Sequence, residues 1–378
     1  MALSACAGDL PRIPATGVID DQRIEGTVDS AIAKYYLENY LPRQNTRPDL
    51  DRALADALGR LSDPPRREEY RQLSERFSVD LATLQLIRVL SAEPANLRAR
   101  RLFRRELERV RALSGASGRL AACVARFELP TILFVPGWFY RSQQGTGADF
   151  AAQRALLGQL GVDARLIPVR ENGTVEENAQ IIAREVRRFD PAAGSLILVS
   201  ASIGGPEVAQ ALGYVLKPAE TGPVAAWVNV GGLLKGSPLA DWASVWPRNW
   251  LARLYYWWKG LDASDSIASL TTTRSIERFA HQTIPDHILI VNFVGIPLSG
   301  DISPGAEFGY LRTSAAGPND GLAPILDEIA HGGQTILQVG LDHYYRDPEI
   351  DLKTLALALT VTLELGHAPP ACEGKAAA

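Results

Sequence analysis

Apolar residues recur at two different periods along this chain, and the change from one to the other divides it. From about Thr27 to Leu113 they fall three and four apart: Ala31, Tyr35, Leu37 and Tyr40, then Leu54, Leu58 and Leu61 before Pro64-Pro65 breaks the run. Two short helices are predicted over Arg66–Phe77 and Val79–Leu90, and a longer one over Ala92–Leu113 with Pro94 in its first turn. The segment predicts an all-helical domain without a strand. Residues 8–25, punctuated by Pro11, Pro14 and Gly17, sustain neither period and read as an irregular lead-in.

Ser114-Gly115-Ala116-Ser117-Gly118 reads as a linker, and the pattern changes after it. Short apolar, partly β-branched runs now alternate with amphipathic stretches. Strands are predicted at Thr131–Val135, Arg165–Val169, Leu196–Val199, Val224–Val230, His287–Ile296 and Thr335–Val339. Helices are predicted over Phe150–Leu160, over Val175–Phe189 with Thr174 as N-cap, from Gly205, and over Asp351–Leu365. This alternation defines an α/β unit with a mostly parallel sheet, whose sites form at the carboxyl ends of strands. Residues 233–285 interrupt it. Five of the seven tryptophans lie there, Trp242, Trp246, Trp250, Trp257 and Trp258, beside Tyr255 and Tyr256. Such a cluster either packs a local core or forms an aromatic lid over a pocket, and an insertion with little core of its own favours the lid. Pro247 argues against one unbroken helix through the four-residue spacing of Trp242, Trp246 and Trp250. The organisation expected is a lead-in or tether at 1–26, a helical domain and linker at 27–117, an α/β domain at 118–370 carrying the 233–285 insertion, and a tail at 371–378.

With 46% apolar and 22% charged residues over 378 positions, the chain can bury a large core. A net charge of −4 argues against nucleic acid as a partner. The one basic stretch, Arg98 to Arg111, either pairs with acidic neighbours along a solvated helix face or meets anionic lipid headgroups. Three scattered cysteines exclude a zinc site. Leu3-Ser4-Ala5-Cys6 is similar to the lipobox of bacterial lipoproteins, so Cys6 is either a lipidation site that would tether the protein in the cell envelope or periplasm, or a chance match in a cytoplasmic protein. In the first case Cys123 and Cys372 remain as a pair able to bridge.

The stretch that carries chemistry is Leu196 to Ala211, where a strand breaks onto Ser202 and Gly204-Gly205 before a helix. A serine on such a corner has its hydroxyl lifted above the sheet and the next backbone N–H turned toward the helix N-terminus. Its hydroxyl needs a histidine to take its proton and a carboxylate to orient that histidine. Asp320, in a loop before the last strand, and His343, directly after that strand, arrive in the order Ser, Asp, His. Asp301 is the rival acid. His281, His287, His331 and His367 are poorer bases by position, Asp342 reads as a solvated neighbour, and Glu207 as a partner of the helix dipole.

Residues 125–367 resemble the α/β-hydrolase superfamily, and within it bacterial lipases and esterases. The resemblance rests on the Ser202 elbow, on Val135-Pro136-Gly137-Trp138 at the oxyanion loop, and on Lys235-Gly236-Ser237-Pro238-Leu239-Ala240-Asp241 in the loop after the next strand. Gly317-Pro318-Asn319-Asp320-Gly321-Leu322 in the acid loop and Leu341-Asp342-His343 complete it. It implies Ser202 as nucleophile, His343 as general base and acid and Asp320 as orienter. It also implies an oxyanion hole of the Ile203 and Trp138 N–H groups with Phe139 next in line, and no cofactor or metal. Two positions depart from the pattern: Pro136 stands for a histidine and Ser200 for the first elbow glycine. The expected activity is hydrolysis of hydrophobic acyl or aromatic esters through an acyl-enzyme, with Tyr140 and the insertion's tryptophans around the substrate. An acyltransferase, amidase or thioesterase would use the same three residues, and a hydrolase fold serving as a binding protein would use none of them.

Overall fold

The computed structural model describes residues 12–44, 46–114, 118–127, 129–142, 145–246 and 264–367. Its centre is a sheet of six parallel strands in the order β4-β3-β5-β6-β7-β8. They are β3 (Thr131–Val135), β4 (Ala164–Leu166), β5 (Leu196–Ala201), β6 (Val224–Val230), β7 (Leu289–Ile296) and β8 (Gln334–Val339). All five residues of β3 are buried, as its unbroken apolar run requires of a strand covered on both faces. Between the strands run α7 (Ala151–Gln159), α8 (Val175–Arg188), α9 (Gly204–Gln210) and α10 (Pro238–Ser244). α11 (Ser264–Ser269), α12 (Thr272–Ala280), α13 (Glu307–Thr313) and α14 (Ile350–Glu364) follow. Thr174 caps α8 as its sequence predicts, accepting from the Glu177 N–H while Glu177 accepts from the Thr174 N–H, a full capping box.

The N-terminal region differs from expectation in two ways. Part of the lead-in is an antiparallel hairpin, β1 (Ile13–Ile19) with β2 (Gln22–Val28), so strand structure precedes the helices. Its inward residues Ala15, Ile19, Ile24 and Val28 are buried, with the turn at Asp20-Asp21. Pro14 and Gly17 disguise the period-two pattern: Pro14 lies on an edge strand, and Gly17 lets the side chain of Leu37 approach.

The helices α1 (Ala31–Tyr35, continued by a π turn to Tyr40), α2 (Pro48–Leu58), α3 (Arg67–Arg76), α4 (Val79–Ala92) and α5 (Pro94–Ser114) form where the periodicity places them, and α6 (Arg119–Val124) is a further helix that the sequence did not predict. The hairpin and α1 to α4 pack around a core of their own residues, among them Tyr36, Leu37, Leu54, Tyr70 and Leu84, and that core is continuous with the sheet. Ala99, Phe103, Leu107 and Val110, one face of α5, pack with Ile132, Phe134, Ile197, Val228, Val291 and Phe293 of the sheet and with α14. Leu81, Leu84 and Ile87 of α4 join the hairpin to Val294, Ile296 and Leu298 at the end of β7. Asp80 fastens this joint by accepting from the Ser299 N–H at 2.9 Å, the Ser299 hydroxyl at 2.6 Å and the Asp29 N–H at 2.6 Å. α5 is thus a layer on the sheet, while the hairpin and α1 to α4 join it at the end of β7.

The basic stretch on α5 is largely paired: Arg98 with Glu364, Arg100 and Arg104 with Asp21, Arg105 and Arg109 with Glu106, and Arg111 with Glu349. Cys123 is disulfide-bonded. The other two cysteines, Cys6 and Cys372, lie outside the described residues.

Candidate active site

Ser202 follows β5 in the left-handed region, at φ +54°, where a residue with a Cβ is strained unless its surroundings hold it. Its N–H donates to the Val230 carbonyl at 3.0 Å, and its carbonyl accepts from Gly205 at 3.0 Å and Leu233 at 3.1 Å. The two glycines after it are sterically required. A Cβ on Gly204 would stand 2.9 Å from the Val135 carbonyl oxygen, and one on Gly205 would stand 2.7 Å from Gly232 Cα. The departure at Ser200 also has a cause: this wholly buried residue accepts a hydrogen bond from the Trp227 indole N–H on the neighbouring strand, at 2.8 Å. A glycine there would leave that buried donor unpaired.

His343 is brought to Ser202 from the far side of the sheet, in the loop after β8. Its Nε2 lies 2.9 Å from Ser202 Oγ, and its Nδ1 is hydrogen-bonded to Asp320 Oδ2. The backbone reinforces the pairing, since the His343 N–H donates to the Asp320 carbonyl at 2.9 Å. Asp320 sits in a tight Asp-Gly turn that orients it: its Oδ1 accepts from the Leu322 and Ala323 N–H groups at 2.8 and 2.9 Å, which aims Oδ2 at the imidazole. Complete burial would raise this carboxyl, but the charge and hydrogen bond of His343 and the two N–H groups outweigh it and hold it below the ordinary carboxylate value.

The remaining acids and histidines lie elsewhere. Asp301 turns its Oδ2 to the Leu298 N–H at 3.0 Å, and burial pushes its carboxyl up. Asp342 is buried rather than solvated, and it joins two loops by accepting from Ser303 at 2.9 Å and Tyr344 at 3.0 Å. His287 meets the Thr221 carbonyl at 3.3 Å, and His331 packs against Phe279.

Sequence reasoning missed two residues behind the triad. Tyr345 donates to the Phe293 carbonyl and accepts from the Gly295 N–H, both at 2.8 Å, fixing the histidine loop to β7. Glu328 is wholly buried, neither oxygen finds a donor among the described residues, and burial together with the Asp320 charge pushes its carboxyl well above the ordinary value. No local pattern marks it, because its environment is assembled from distant segments.

Glu207 stands in the first turn of α9, as expected of a partner of the helix dipole, but it is not exposed. It is buried in α9, accepts from Asn178 Nδ2 at 2.7 Å, and burial pushes its carboxyl well above the ordinary value against the opposing effects of Asn178 and Arg278. A carboxyl raised on folding makes the native state bind more protons than the unfolded one. Its stabilising effect is therefore complete below the unfolded value of about 4.3 and is lost as pH rises toward the folded value. Glu207→Gln keeps the acceptor for Asn178 and removes the titration. In urea melts between pH 4 and 8, the wild type should lose stability relative to this variant as pH rises; parallel curves would show that Glu207 ionises freely.

The loop of Pro136 to Tyr140 leaves β3 beside the elbow, and a Cβ on Gly137 would stand 3.7 Å from Ser202 Cβ. The rings of Trp138 and Phe139 stack 4.3 Å apart, with Phe139 at φ +55°. Ile203 opens α9, so its N–H belongs to the helix N-terminus, where donors have no partner within the helix. A cavity of 1670 Å³ opens onto Ser202 and His343, lined among others by Trp138, Phe139, Tyr140, Ile203, Trp242 and Phe308. Trp242 meets Phe308 edge-on at 5.4 Å, and Tyr140 is anchored by a 2.8 Å bond to the Val169 carbonyl. Trp246 is a correction: it ends the described part of the segment 78% exposed and does not line the cavity. Its four-residue spacing from Trp242 would have put both on one face, but α10 stops at Ser244. Trp250, Trp257 and Trp258 lie outside the described residues.

Six parallel strands, a serine elbow at the end of the third strand in spatial order, and an acid and a histidine from loops beyond β7 and β8 define an α/β-hydrolase fold with a Ser-His-Asp site. No sequence family and no curated protein matches the chain. Among solved structures it is similar to the Bacillus licheniformis lipase BlEst2 in mature form, at 23% identity and TM-score 0.47 over 57% of this chain and 86% of that one. It is similar also to the metagenomic carboxyl esterase MGS0156, at 20% identity and TM-score 0.47 over 63% and 75% of the two chains. For BlEst2 in propeptide form the values are 22% identity and TM-score 0.49 over 60% of this chain and 50% of that one.

Proposed function

We propose that this protein is a serine hydrolase that cleaves carboxylic esters with a hydrophobic acyl or aromatic group through an acyl-enzyme. The observation that carries the reading is the continuous Ser202–His343–Asp320 hydrogen-bond chain opening onto a largely apolar cavity. Ser202 Oγ attacks the ester carbonyl while His343 Nε2 takes its proton, and Asp320 stabilises the imidazolium that forms. The carbonyl oxygen, now an anion, is met by the N–H groups of Ile203 and Trp138, with Phe139 next in line. Collapse of the intermediate breaks the bond to the alcohol oxygen, and the alcohol leaves with the proton from Nε2. Water then repeats the sequence on the acyl-serine, with His343 as base, and releases the acid. No step calls for a metal or organic cofactor.

A fluorophosphonate probe tests this directly, because it reacts with a serine activated by its histidine and spares ordinary hydroxyls. The expected result is stoichiometric labelling of the native chain at Ser202 and none of Ser202→Ala. Folded protein that resists the probe would overturn the enzyme reading in favour of a binding role.

A further inference from the structure

One buried carboxyl beside the triad takes no part in the mechanism above. Glu328 lies in the same loop as Asp320, and the loop folds back on itself: the Asp320 N–H donates to the Ala323 carbonyl at 3.1 Å, and the Ile325 N–H to the Pro318 carbonyl at 3.0 Å. A single 3₁₀ turn at Ile325–Asp327 ends on Glu328, whose N–H donates to the Ile325 carbonyl at 3.2 Å. Two wholly buried asparagines, Asn229 of β6 and Asn292 opposite it on β7, peg the main chain of this loop to the sheet. Asn229 Nδ2 donates to the Glu328 carbonyl at 2.7 Å, Asn292 Nδ2 donates to the Ala330 carbonyl at 3.2 Å, and the Ala330 N–H donates to Asn292 Oδ1 at 3.0 Å. The Glu328 side chain is held with it, out of contact with water and outside the lining of the cavity.

An ionised carboxylate in that position needs donors, and the donors around it are committed elsewhere. The second Nδ2 hydrogen of Asn229 goes to Asn292 Oδ1 at 3.1 Å. The Tyr345 hydroxyl, which lies in the field of both Glu328 and Asp320, donates to the Phe293 carbonyl. The cations of this region, Arg67 and Lys235, lie against Asp327 at 2.6 and 3.9 Å. What the Glu328 carboxyl does reach is another acceptor, the carboxyl of Asp320. Two carboxyl groups do not share a buried site unless one carries a proton, and the proton settles on the one with fewer donors. Asp320 has three, the Leu322 and Ala323 N–H groups and His343 Nδ1, whereas Glu328 has none among the described residues. The directions of titration agree: burial and then the charges of Asp320 and Asp327 raise Glu328, while Asp320 is held low despite its burial.

We propose that Glu328 is a positioning residue of the triad: it carries a proton and donates a hydrogen bond to Asp320, which leaves Asp320 the single anion facing His343. This role rests on the serine hydrolase reading above. No bond forms or breaks at Glu328, and its proton stays in place while the Ser202 proton passes to His343 Nε2 and on to the leaving alcohol. Its effect is on charge. A donor on the Asp320 carboxylate draws off part of the negative charge that would otherwise stabilise the imidazolium, and so lowers the pH at which His343 becomes free to act as a base.

The test is the pH dependence of the fluorophosphonate labelling rate, whose rising limb reports the loss of the His343 proton in the free enzyme. Glu328→Leu and, independently, Glu328→Met remove the donor, and the limb should move up by about one pH unit, the worth of one charge-assisted hydrogen bond. Glu328→Gln supplies an N–H in place of the O–H. Its limb should return to within a few tenths of a unit of wild type, with a plateau rate a few-fold lower because the amide is the weaker donor. An ionised Glu328 gives the opposite sign: all three variants would delete a negative charge beside the triad and move the limb down together, which overturns the proposal. A limb that stays in place in all three, with only the folded fraction reduced, overturns it as well and leaves Glu328 a structural group. The infrared difference between wild type and Glu328→Gln near neutral pH needs no activity. A carboxylic acid C=O band present in the wild type and missing from the variant supports the proton on Glu328, and a carboxylate band in its place overturns it. A folded wild type that shows the acid band but resists the probe overturns the serine hydrolase reading, not the Glu328 proton.

Discussion

Ser202→Ala should lower kcat for ester hydrolysis by about 10⁶-fold, His343→Ala by about as much, and the double variant by no more than either single one. The reason is that Nε2 stands 2.9 Å from Oγ and the two groups act as one device: a serine without its base is a poor nucleophile, and a base without its serine has nothing to activate. What survives should be the roughly 10³–10⁴-fold advantage over water that positioning and the oxyanion donors supply without the nucleophile. The measurement is single-turnover hydrolysis with the wild type titrated by the fluorophosphonate, so that contaminating enzyme is quantified. If the two losses add in the double variant, Ser202 and His343 act independently and the shared proton transfer is wrong.

Most of this site is legible in the chain before it folds, because its parts are local. The run from Leu196 onto Ser202 and Gly204-Gly205 is a strand, a strained corner and a helix within one short stretch, and the crowding at Gly204 and Gly205 is the physical reason for those residues. Asp320 and His343 are each marked by a position relative to a strand. The tertiary partners are not legible: Ser200 takes its meaning from Trp227, Glu328 from Asp320, and Tyr345 from two backbone groups of β7. None of these pairs is signalled by spacing.

The N-terminal region fails for a different reason. Residues 13–28 hide a hairpin because only Ala15, Ile19, Ile24 and Val28 are deeply buried, while the outward Val18 is 57% exposed and blurs the alternation. The helices α1 to α5 lie close to their predicted positions, but what each apolar face meets is not legible. A helix reports through its periodicity which face is apolar, and α5 does so with Ala99, Phe103, Leu107 and Val110. It does not report what that face will meet. The cluster of arginines draws attention to the solvent side of α5, whereas the face that organises the fold is the one packed on the sheet and α14.

The acid of the triad gives the other large effect. Asp320→Asn should cut kcat about 10⁴-fold with the fold retained, since an amide in place of Oδ2 no longer enforces the tautomer in which Nδ1 carries the proton and Nε2 faces Ser202. Asp301→Asn should leave kcat within a few-fold of wild type: its carboxyl serves the Leu298 N–H at 3.0 Å and makes no contact with His343 among the described residues. The pH dependence separates the two further. Because the native Asp320 carboxyl is held below its ordinary value of about 3.9, it contributes stability that is present above that value and is lost only as pH falls through the lower native one. The wild type should therefore keep an anionic Asp320 throughout the range from pH 5 to 8, and its advantage over Asp320→Asn should persist across that range. Asp301 has the opposite sign, a carboxyl raised by burial, so Asp301→Asn should remove a cost that grows as pH rises above about 3.9. Rates of the three proteins at pH 5 and 8, read beside urea melts at the same pH, decide between the two acids: a collapse of kcat in Asp301→Asn, with Asp320→Asn close to wild type, would move the catalytic acid to Asp301.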